Sequence, residues 1–446
     1  MISKRLLFWC SGLLCLPLAA QSNRIEFTEF TLKNGLHVIL HEDHTTPIVA
    51  VTMMYHVGSK NEDPKRTGFA HFFEHLLFEG TENIERGEYD RYVQNAGGSL
   101  NANTTFDRTF YYELLPSNQL ELGLWLESER LLHAKVEEKG VETQREVVKE
   151  ERRQRIDNQP YGSVVEEILK RTFKKHPYRW PVIGSMDHLN AAKIEEFRAF
   201  YREFYVPENA VLSIAGDLNV KEAKTLVEKY FGDIPKGKKP VYRPNIVEPP
   251  QTGEVRDVVY DNVQLPAVIM SYRIPAQGTP DYYAVRMLMT LLSDGESSRL
   301  NKNIKDAKQM AVFAGAFPLQ MEDPGISIMF AVANSGVTAE NLEKALDEEI
   351  EKVKTELADT NEFEKLKNQM ETELVFQNNT MAGIAENLAN YHMYFGSSDL
   401  INTEINRFTK VTKEDIQRVA KKYLSKDNRV VLYYLPKPAE AEGGSQ

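Results

Sequence analysis

The residues best suited to chemistry lie in one short segment, GFAHFFEHLLFEGT, at positions 68–81. His71 and His75 are four residues apart, so in an α-helix they share a face and can direct two imidazoles at one point. Two neutral imidazoles suit Zn2+, which at a catalytic site has three protein ligands and leaves one position to water. Glu74 borders the same face and is then free to act as a base. The alternative is two core histidines beside a chance glutamate.

The third ligand is expected from a carboxylate on another helix. The segment VETQREVVKEERRQRI has the periodicity of an amphipathic helix whose apolar stripe includes Val141 and Val148. At 100° per residue, Glu150 points away from this stripe, whereas Glu151 lies on its flank, at the boundary of the core. Gln144, two turns earlier, shares the side of Glu151. We therefore predict Glu151 as the third metal ligand.

The flanking elements form a pattern that occurs twice. In the first half, the runs HVIL, IVAVTMMYHV, GGSLNANTTFDRTFYYELL and AVLSIAGDL predict strands, and QLELGLWLESERLLHA and VKEAKTLVEKYFGDI predict helices. After a stretch rich in Pro, Lys and Gly, strands are predicted again at LPAVIMSYRIP, QMAVFAGAFP, GISIMFAVAN and RVVLYYLP, with a helix at DYYAVRMLMTLLSDG. The fold class indicated is α+β, with two similar domains, each a mostly antiparallel sheet with helices on one face.

A segment of the second half matches the apolar pattern of the H-x-x-E-H segment but lacks its polar residues. When Gly80 is aligned with Gly295, the apolar frame of HFFEHLLFEG matches RMLMTLLSDG. The three polar residues of the first segment are replaced in the second by Arg286, Met289 and Thr290. If the halves arose by duplication, the fold does not require the two histidines and the glutamate, and a function does.

Length, composition and net charge limit the classes of protein to which this chain can belong. The 446 residues are 42% apolar and 27% charged, which is typical of a globular chain of more than one domain. The net charge of −11 argues against a nucleic-acid binder. We divide the chain into a signal peptide (1–20), an N-terminal metal-binding domain (25–235), a linker (236–253), a C-terminal domain of the same fold (254–436) and a disordered tail (437–446).

The N-terminus predicts export. Lys4 and Arg5 precede a short apolar run that ends before Ala19 and Ala20, which is the pattern of a secretory signal peptide cleaved after Ala20. Both cysteines lie within this segment, so the mature chain is expected to contain no thiol. No other stretch is long and apolar enough to predict a membrane span. We expect a periplasmic protein.

The H-x-x-E-H segment, the helix carrying REVVKEE and the strand GGSLNANTTFDRTFYY together resemble the pitrilysin/insulinase family of zinc metallopeptidases. The resemblance implies two α+β roll domains, one Zn2+ per chain held by His71, His75 and Glu151, and Glu74 as general base. It also implies that Asn101 and Ala102 lie on a strand whose edge pairs with an extended peptide. From the residues alone, that strand fits an ordinary solvent-facing hairpin equally well.

Two departures from the family pattern bear on function. Many members have a glutamate where this chain has Gln144. The interactions that outer residues make to hold the metal ligands in place are therefore expected to be weaker or to come from other residues. Active members also place an Arg and a Tyr in the second half, and the matching positions here are Lys305 and Val312. Since valine cannot donate a hydrogen bond to an oxyanion, we expect a heterodimer in which a homologous subunit supplies the pair. A homodimer, a monomer and a non-catalytic peptide-binding subunit are the alternatives.

Overall fold

The computed structural model describes residues 24–438. The predicted signal peptide and most of the predicted tail lie outside this range. Within it, no helix combines the length and apolarity that a membrane crossing requires. We refer to residues 24–231 as the first half and to residues 255–438 as the second half.

The first half alternates strands and helices. Its strands are β1 (Thr28–Thr31), β2 (His37–Glu42), β3 (Ile48–Tyr55), β4 (Ser99–Thr104), β5 (Thr109–Pro116) and β6 (Ala210–Gly216). Its helices are α1 (Phe69–Leu76), α2 (Glu88–Asn95), α3 (Leu120–Leu132), α4 (Glu138–Arg152), α5 (Val164–Thr172), α6 (Met186–Ala191), α7 (Ile194–Phe204) and α8 (Val220–Phe231). A π-type turn at Arg153–Asp157 extends α4.

The second half has the strands β7 (Val255–Asp261), β8 (Ala267–Arg273), β9 (Ala311–Pro318), β10 (Ile326–Ala333) and β11 (Arg429–Pro436). Its helices are α9 (Pro280–Ser293), α10 (Ala339–Thr355), α11 (Thr360–Gln377), α12 (Met381–Phe395), α13 (Leu400–Thr403), α14 (Ile405–Thr409) and α15 (Lys413–Tyr423). A second π-type turn, Asn301–Ala307, precedes β9.

The two sheets have matching topology. The first has the order β1-β2-β6-β3-β5-β4 and the second β7-β11-β8-β10-β9. In each sheet one pair is parallel, β2 with β6 and β7 with β11, and the pairs that follow in the order are antiparallel. This correspondence makes α9 the counterpart of α1 and β9 the counterpart of β4. The predicted fold class, two similar units with mostly antiparallel sheets, is confirmed.

Each sheet also receives one helix from the other half on its second face. Helix α12 buries Ile384, Ala385 and Leu388 against the first sheet, and α5 buries Ile168 and Leu169 against the second. This exchange explains the composition of β3, in which every residue after Ile48 is buried. A strand covered on both faces needs a continuous apolar run rather than alternation.

The segment between the halves is extended and well anchored. From residue 235 to residue 254 of the described chain there is neither helix nor strand. Glu248 nevertheless accepts hydrogen bonds from the backbone N–H groups of residues 174–176 at 2.7–2.8 Å. Arg243 donates to the carbonyl of His56. The segment is therefore fastened to the first half along its length.

Candidate metal centre

Helix α1, which carries the H-x-x-E-H segment, has an unusual start. Gly68 precedes it with φ +98°, a conformation that favours glycine. A Cβ on Gly184 would lie 2.3 Å from backbone atoms of Gly68, so the two chains meet here with no room for side chains. The buried carboxylate of Glu62 accepts hydrogen bonds from the N–H groups of Gly68 and Ala70 at 2.8 and 2.9 Å. Glu62 therefore caps α1, because the first N–H groups of a helix lack partners within it.

Burial and a hydrogen bond from Arg130 fix the rest of α1. Phe72 and Phe73 are fully buried, and Phe73 stacks on Phe200 of α7. At the other end, Arg130 of α3 donates to the carbonyl of Leu77 at 3.3 Å. The helix is thus held at its start, along its apolar face and at its end, which limits the freedom of the two imidazoles.

Helix α4 brings Glu151 to the two histidines. Val148 is fully buried, whereas Glu150 is about half exposed and bonds to Arg153, so the predicted orientation of this helix is found. Glu151 Oε2 lies 3.4 Å from His71 Nε2 and 3.1 Å from His75 Nε2. Its other oxygen is paired with Arg155 at 2.6 Å.

These separations match those of a metal coordination shell. Ligands about 2.0–2.1 Å from a tetrahedral zinc are about 3.3–3.4 Å from one another. Glu151 Oε2 is buried and has no hydrogen-bond partner among the described residues, although two imidazole nitrogens face it. Three converging donors with an unsatisfied carboxylate oxygen among them fit a divalent cation, and the donor set of two histidines and one glutamate is typical of catalytic zinc.

The electrostatics of the cluster favour the protonation states that a metal needs. Burial lowers the pKa of His71 to about 4, so its imidazole is neutral near pH 7 and has a free lone pair. Burial opposes ionisation of Glu151, but the two histidines and Arg155 hold its pKa below the usual range. Burial raises the pKa of Glu74, and this effect outweighs the hydrogen bond from Thr104 that opposes it.

Glu74 lies between α1 and the edge strand β4. Thr104 of β4 donates a hydrogen bond from Oγ1 to Glu74 Oε2 at 2.7 Å. The same strand carries Asn101, which is exposed, and Ala102, which packs partly against the core. Among the described strands β4 pairs only with β5. The N–H of Ala102 is bonded to Asn101 Oδ1 at 2.8 Å.

The predicted supporting residue Gln144 contacts Glu79. Its Nε2 donates to Glu79 Oε1 at 2.5 Å, and its Oε1 is buried without a hydrogen-bond partner among the described residues. Glu79 is also paired with Arg86. The Gln144 amide therefore supplies a hydrogen-bond donor to the carboxylate of Glu79, which follows α1 in the chain.

The second-half positions singled out in the sequence have other surroundings. Lys305 lies in the π-type turn before β9 and pairs with Glu296 at 3.2 Å. Val312 lies on β9, the counterpart of β4, and is 48% exposed. Arg286 of α9, at the position aligned with His71, is paired with Glu373.

Several residues that shape the centre were not found from the sequence. Glu62, Thr104 and Arg130 act through contacts between segments far apart in the chain, and no periodicity identifies them. Arg155 is different, since its spacing of four from Glu151 on a helix is a recognisable ion-pair signal.

Two family profiles match this chain. Residues 37–185 match the family profile described as insulinase (peptidase family M16), and residues 191–370 match the profile described as peptidase M16 inactive domain. The second match begins before β6, so it includes the last strand of the first half as well as most of the second half.

Individual relatives cover nearly the whole chain. A Helicobacter pylori protein named zinc protease PqqE is 31% identical over 94% of this chain and 94% of its own. A solved structure of a protease from Helicobacter pylori has a TM-score of 0.88 at 30% identity, covering 92% of this chain and all of that one. An M16-like peptidase structure from Alicyclobacillus acidocaldarius, at 21% identity, shares the fold with a TM-score of 0.80 and covers 92% and 98% of the two chains. The chain belongs to peptidase family M16, the insulinase family.

Proposed function

We propose that this protein is a zinc-dependent endopeptidase that hydrolyses peptides or unfolded polypeptides. The observation that carries the proposal is the convergence of His71, His75 and Glu151, with Glu74 beside them and bonded to the edge strand β4. The names of the relatives add support, since the Helicobacter pylori and Bacillus subtilis proteins are both called zinc proteases.

In this proposal His71, His75 and Glu151 hold one Zn2+. The chemistry that the ion supplies when bound is Lewis-acid polarisation of the scissile carbonyl and a lowered pKa of the attacking water. Arg155 neutralises the remaining oxygen of Glu151, which restricts that carboxylate to one ligating atom. The caps and packing that fix α1 keep the two imidazoles at their spacing.

Glu74 is assigned the proton transfers. It takes the proton of the attacking water and passes it to the leaving amine, the two roles of a general base and acid. The raised pKa of this carboxyl suits a group that must both accept and return a proton. The hydrogen bond from Thr104 ties the position of Glu74 to β4, so the proton acceptor and the strand proposed to align the substrate are held together.

An extended peptide is proposed to add to the free edge of β4. Backbone pairing there would be sequence-tolerant, because main-chain groups give the affinity. The Ala102 N–H, now bonded to the Asn101 side chain, is the donor that the substrate would take over. In a folded protein most backbone groups are already bonded within its own helices and sheets, so a folded protein is expected to be a poor substrate.

The protein is proposed to be the metal-bearing subunit of a two-chain peptidase. Val312 offers no hydrogen-bond donor, and a missing oxyanion donor costs about 10²–10³-fold in rate. A second, homologous chain carrying an arginine and a tyrosine would fill this role. The test is a gain of function: a Lys305→Arg/Val312→Tyr variant of the lone chain should be faster. A lone wild-type chain that is fully active and unaffected by these changes would contradict this part of the proposal.

The protein is proposed to act after export, in the periplasm. The basic and apolar N-terminus supports this, together with the similarity in fold to a structure described as the periplasmic protease PqqL from Escherichia coli. Cell fractionation with an antibody against the mature chain tests it, and recovery in the cytoplasm at full precursor length would contradict it.

The main experiment combines peptide hydrolysis with metal analysis. Glu74→Gln should keep zinc and lose about 10²–10⁴-fold in activity on a quenched fluorescent peptide. His75→Ala should lose activity together with the zinc held by His71, His75 and Glu151. Glu150→Gln is the matched control, because Glu150 neighbours Glu151 on α4 but is exposed, and it should change neither. Hydrolysis that persists in a pure Glu74→Gln preparation refutes the assignment of the base.

The rival function is a non-catalytic peptide-binding subunit of the same fold. Val312 and the inactive-domain profile matched by residues 191–370 are the observations that favour it. It predicts that peptides bind with and without chelator and that no cleavage occurs even in the presence of a homologous chain with the arginine and tyrosine.

A further inference from the structure

A second cluster of metal-type donors lies at the edge of the first sheet farthest from β4. It consists of Glu29 on β1, His37 on β2 and His392 on α12, whose ligand atoms all lie within 4.8 Å of one another. The two strands belong to the first half and the helix to the second. The cluster therefore joins the two halves of the chain.

The contact between Glu29 and His37 has the spacing of two ligands. Glu29 Oε2 lies 3.4 Å from His37 Nε2. That is longer than the usual 2.7–3.2 Å of an N–H···O hydrogen bond. It is about the 3.4 Å that separates two ligands of a tetrahedral zinc.

Neighbouring hydroxyls orient both groups. Thr31 Oγ1 lies 3.1 Å from His37 Nδ1, and Ser398 donates a hydrogen bond to Glu29 Oε2 at 2.7 Å. If Nδ1–H donates to Thr31, then Nε2 carries the lone pair and faces the carboxylate. A metal-ligating histidine usually has such an acceptor on its other nitrogen, because that contact fixes the tautomer.

The third donor, His392, stacks on His37. The ring centroids are 3.4 Å apart and the planes differ by 7°. Burial lowers the pKa of both imidazoles, that of His392 to about 4. Lone pairs of parallel rings do not converge, so sharing an ion requires the His392 ring to rotate about its Cβ–Cγ bond.

We propose that Glu29, His37 and His392 form a second site for a divalent transition metal, with Zn2+ as the matching ion. Two imidazoles and one carboxylate suit this class of ion better than Mg2+ or Ca2+, which prefer oxygen ligands. The Glu29 side chain is 41% exposed, which gives the ion a path from solvent and leaves room for water as a fourth ligand. When occupied, the site fastens α12 to the edge of the first sheet.

The test measures zinc binding at each centre separately, by equilibrium dialysis against buffered micromolar free Zn2+ with metal content determined per chain. The wild-type protein should bind two ions. His392→Gln should bind one and keep its peptidase activity, and His75→Ala should bind one and lose activity. The double variant should bind none. Because the two centres are removed independently, failure of this proposal is distinguishable from failure of the proposed function.

Two further variants control for folding and for adventitious binding. Glu29→Gln changes only an exposed group and should weaken the second site at least about tenfold. His133→Gln removes a partly exposed histidine that faces one carboxylate, Glu82, and should leave the count at two.

Thermal melting of His75→Ala with and without Zn2+ gives an independent signal. The melting temperature should rise with zinc, and the rise should vanish when His392→Gln is added. The proposal is overturned if His392→Gln and Glu29→Gln bind as much zinc as the wild-type chain, or if the zinc-dependent rise survives in the double variant.

Discussion

Replacement of Arg130 by methionine should destabilise the first half strongly, because Arg130 is the centre of a buried charge cluster. The guanidinium and the carboxyl groups of Glu113 and Glu127 are all fully buried. Arg130 contacts both carboxyls at 3.1 Å and also donates to Tyr89 Oη at 2.8 Å. It lies 4.1 Å from the ring centroid of Tyr111, within cation–π distance.

The size of the effect follows from the charges that remain. Burial and the nearby Glu127 raise the pKa of Glu113 well above its usual value, and the guanidinium of Arg130 is the charge that opposes this rise. Removing the guanidinium leaves a buried carboxylate unpaired, which costs about 3–5 kcal/mol. At about 2–4 °C per kcal/mol for a unit of this size, the melting temperature should fall by roughly 6–20 °C.

Calorimetry or circular dichroism at neutral pH measures this fall. The matched control is Arg153→Met, because Arg153 pairs with Glu150 where both side chains are about half exposed, and such pairs contribute about 0–1 kcal/mol. Adding Glu127→Gln to Arg130→Met should restore part of the stability, since it removes one of the two buried acids left without the guanidinium. If Arg130→Met is no less stable than Arg153→Met, the reasoning about this cluster is wrong.

Three further outcomes are expected. Thr104→Val should lower kcat by about tenfold or more, because Glu74 loses the hydrogen bond that positions it, and hydrogen bonds to a carboxylate are worth about 1.5–3 kcal/mol; unchanged steady-state kinetics would contradict it. Gln144→Glu should destabilise the protein by about 1–3 kcal/mol in thermal melting, since the new carboxylate faces Glu79, and Glu79→Gln should relieve the loss. Burial raises the pKa of Glu322, but His56 and Lys60 outweigh this effect and hold the pKa at about 2. The carboxylate therefore adds stability that is fully present above about pH 4.5 and is lost as the pH falls towards 2. Glu322→Gln should make the melting temperature depend less on pH between these values, and an unchanged pH dependence would count against this prediction.

Periodicity explains why much of the fold could be predicted from the sequence. Strand β8 and helix α9 have strong apolar patterns, and both were predicted. Strand β7 was missed because its residues VRDVVYD are largely exposed and lack an apolar face. The short strand β1 was missed because four residues carry too little pattern to identify it.

In the candidate metal centre, too, some features could be predicted from the sequence and others could not. The position of Glu151 at the edge of the core follows from helical geometry and could be anticipated, because 100° per residue places it on the flank of the apolar stripe. The cap from Glu62, the bond from Thr104 and the packing of α12 on the first sheet depend on contacts between distant segments. Such contacts leave no local signal in a single sequence, so only the folded chain reveals them.

The most direct test of the account is the position of zinc in a crystal of the wild-type protein, located by anomalous scattering at the zinc edge. The account predicts an anomalous peak about 2.0–2.1 Å from His71 Nε2, from His75 Nε2 and from an oxygen of Glu151. A zinc-loaded crystal with no peak at these three atoms would contradict it.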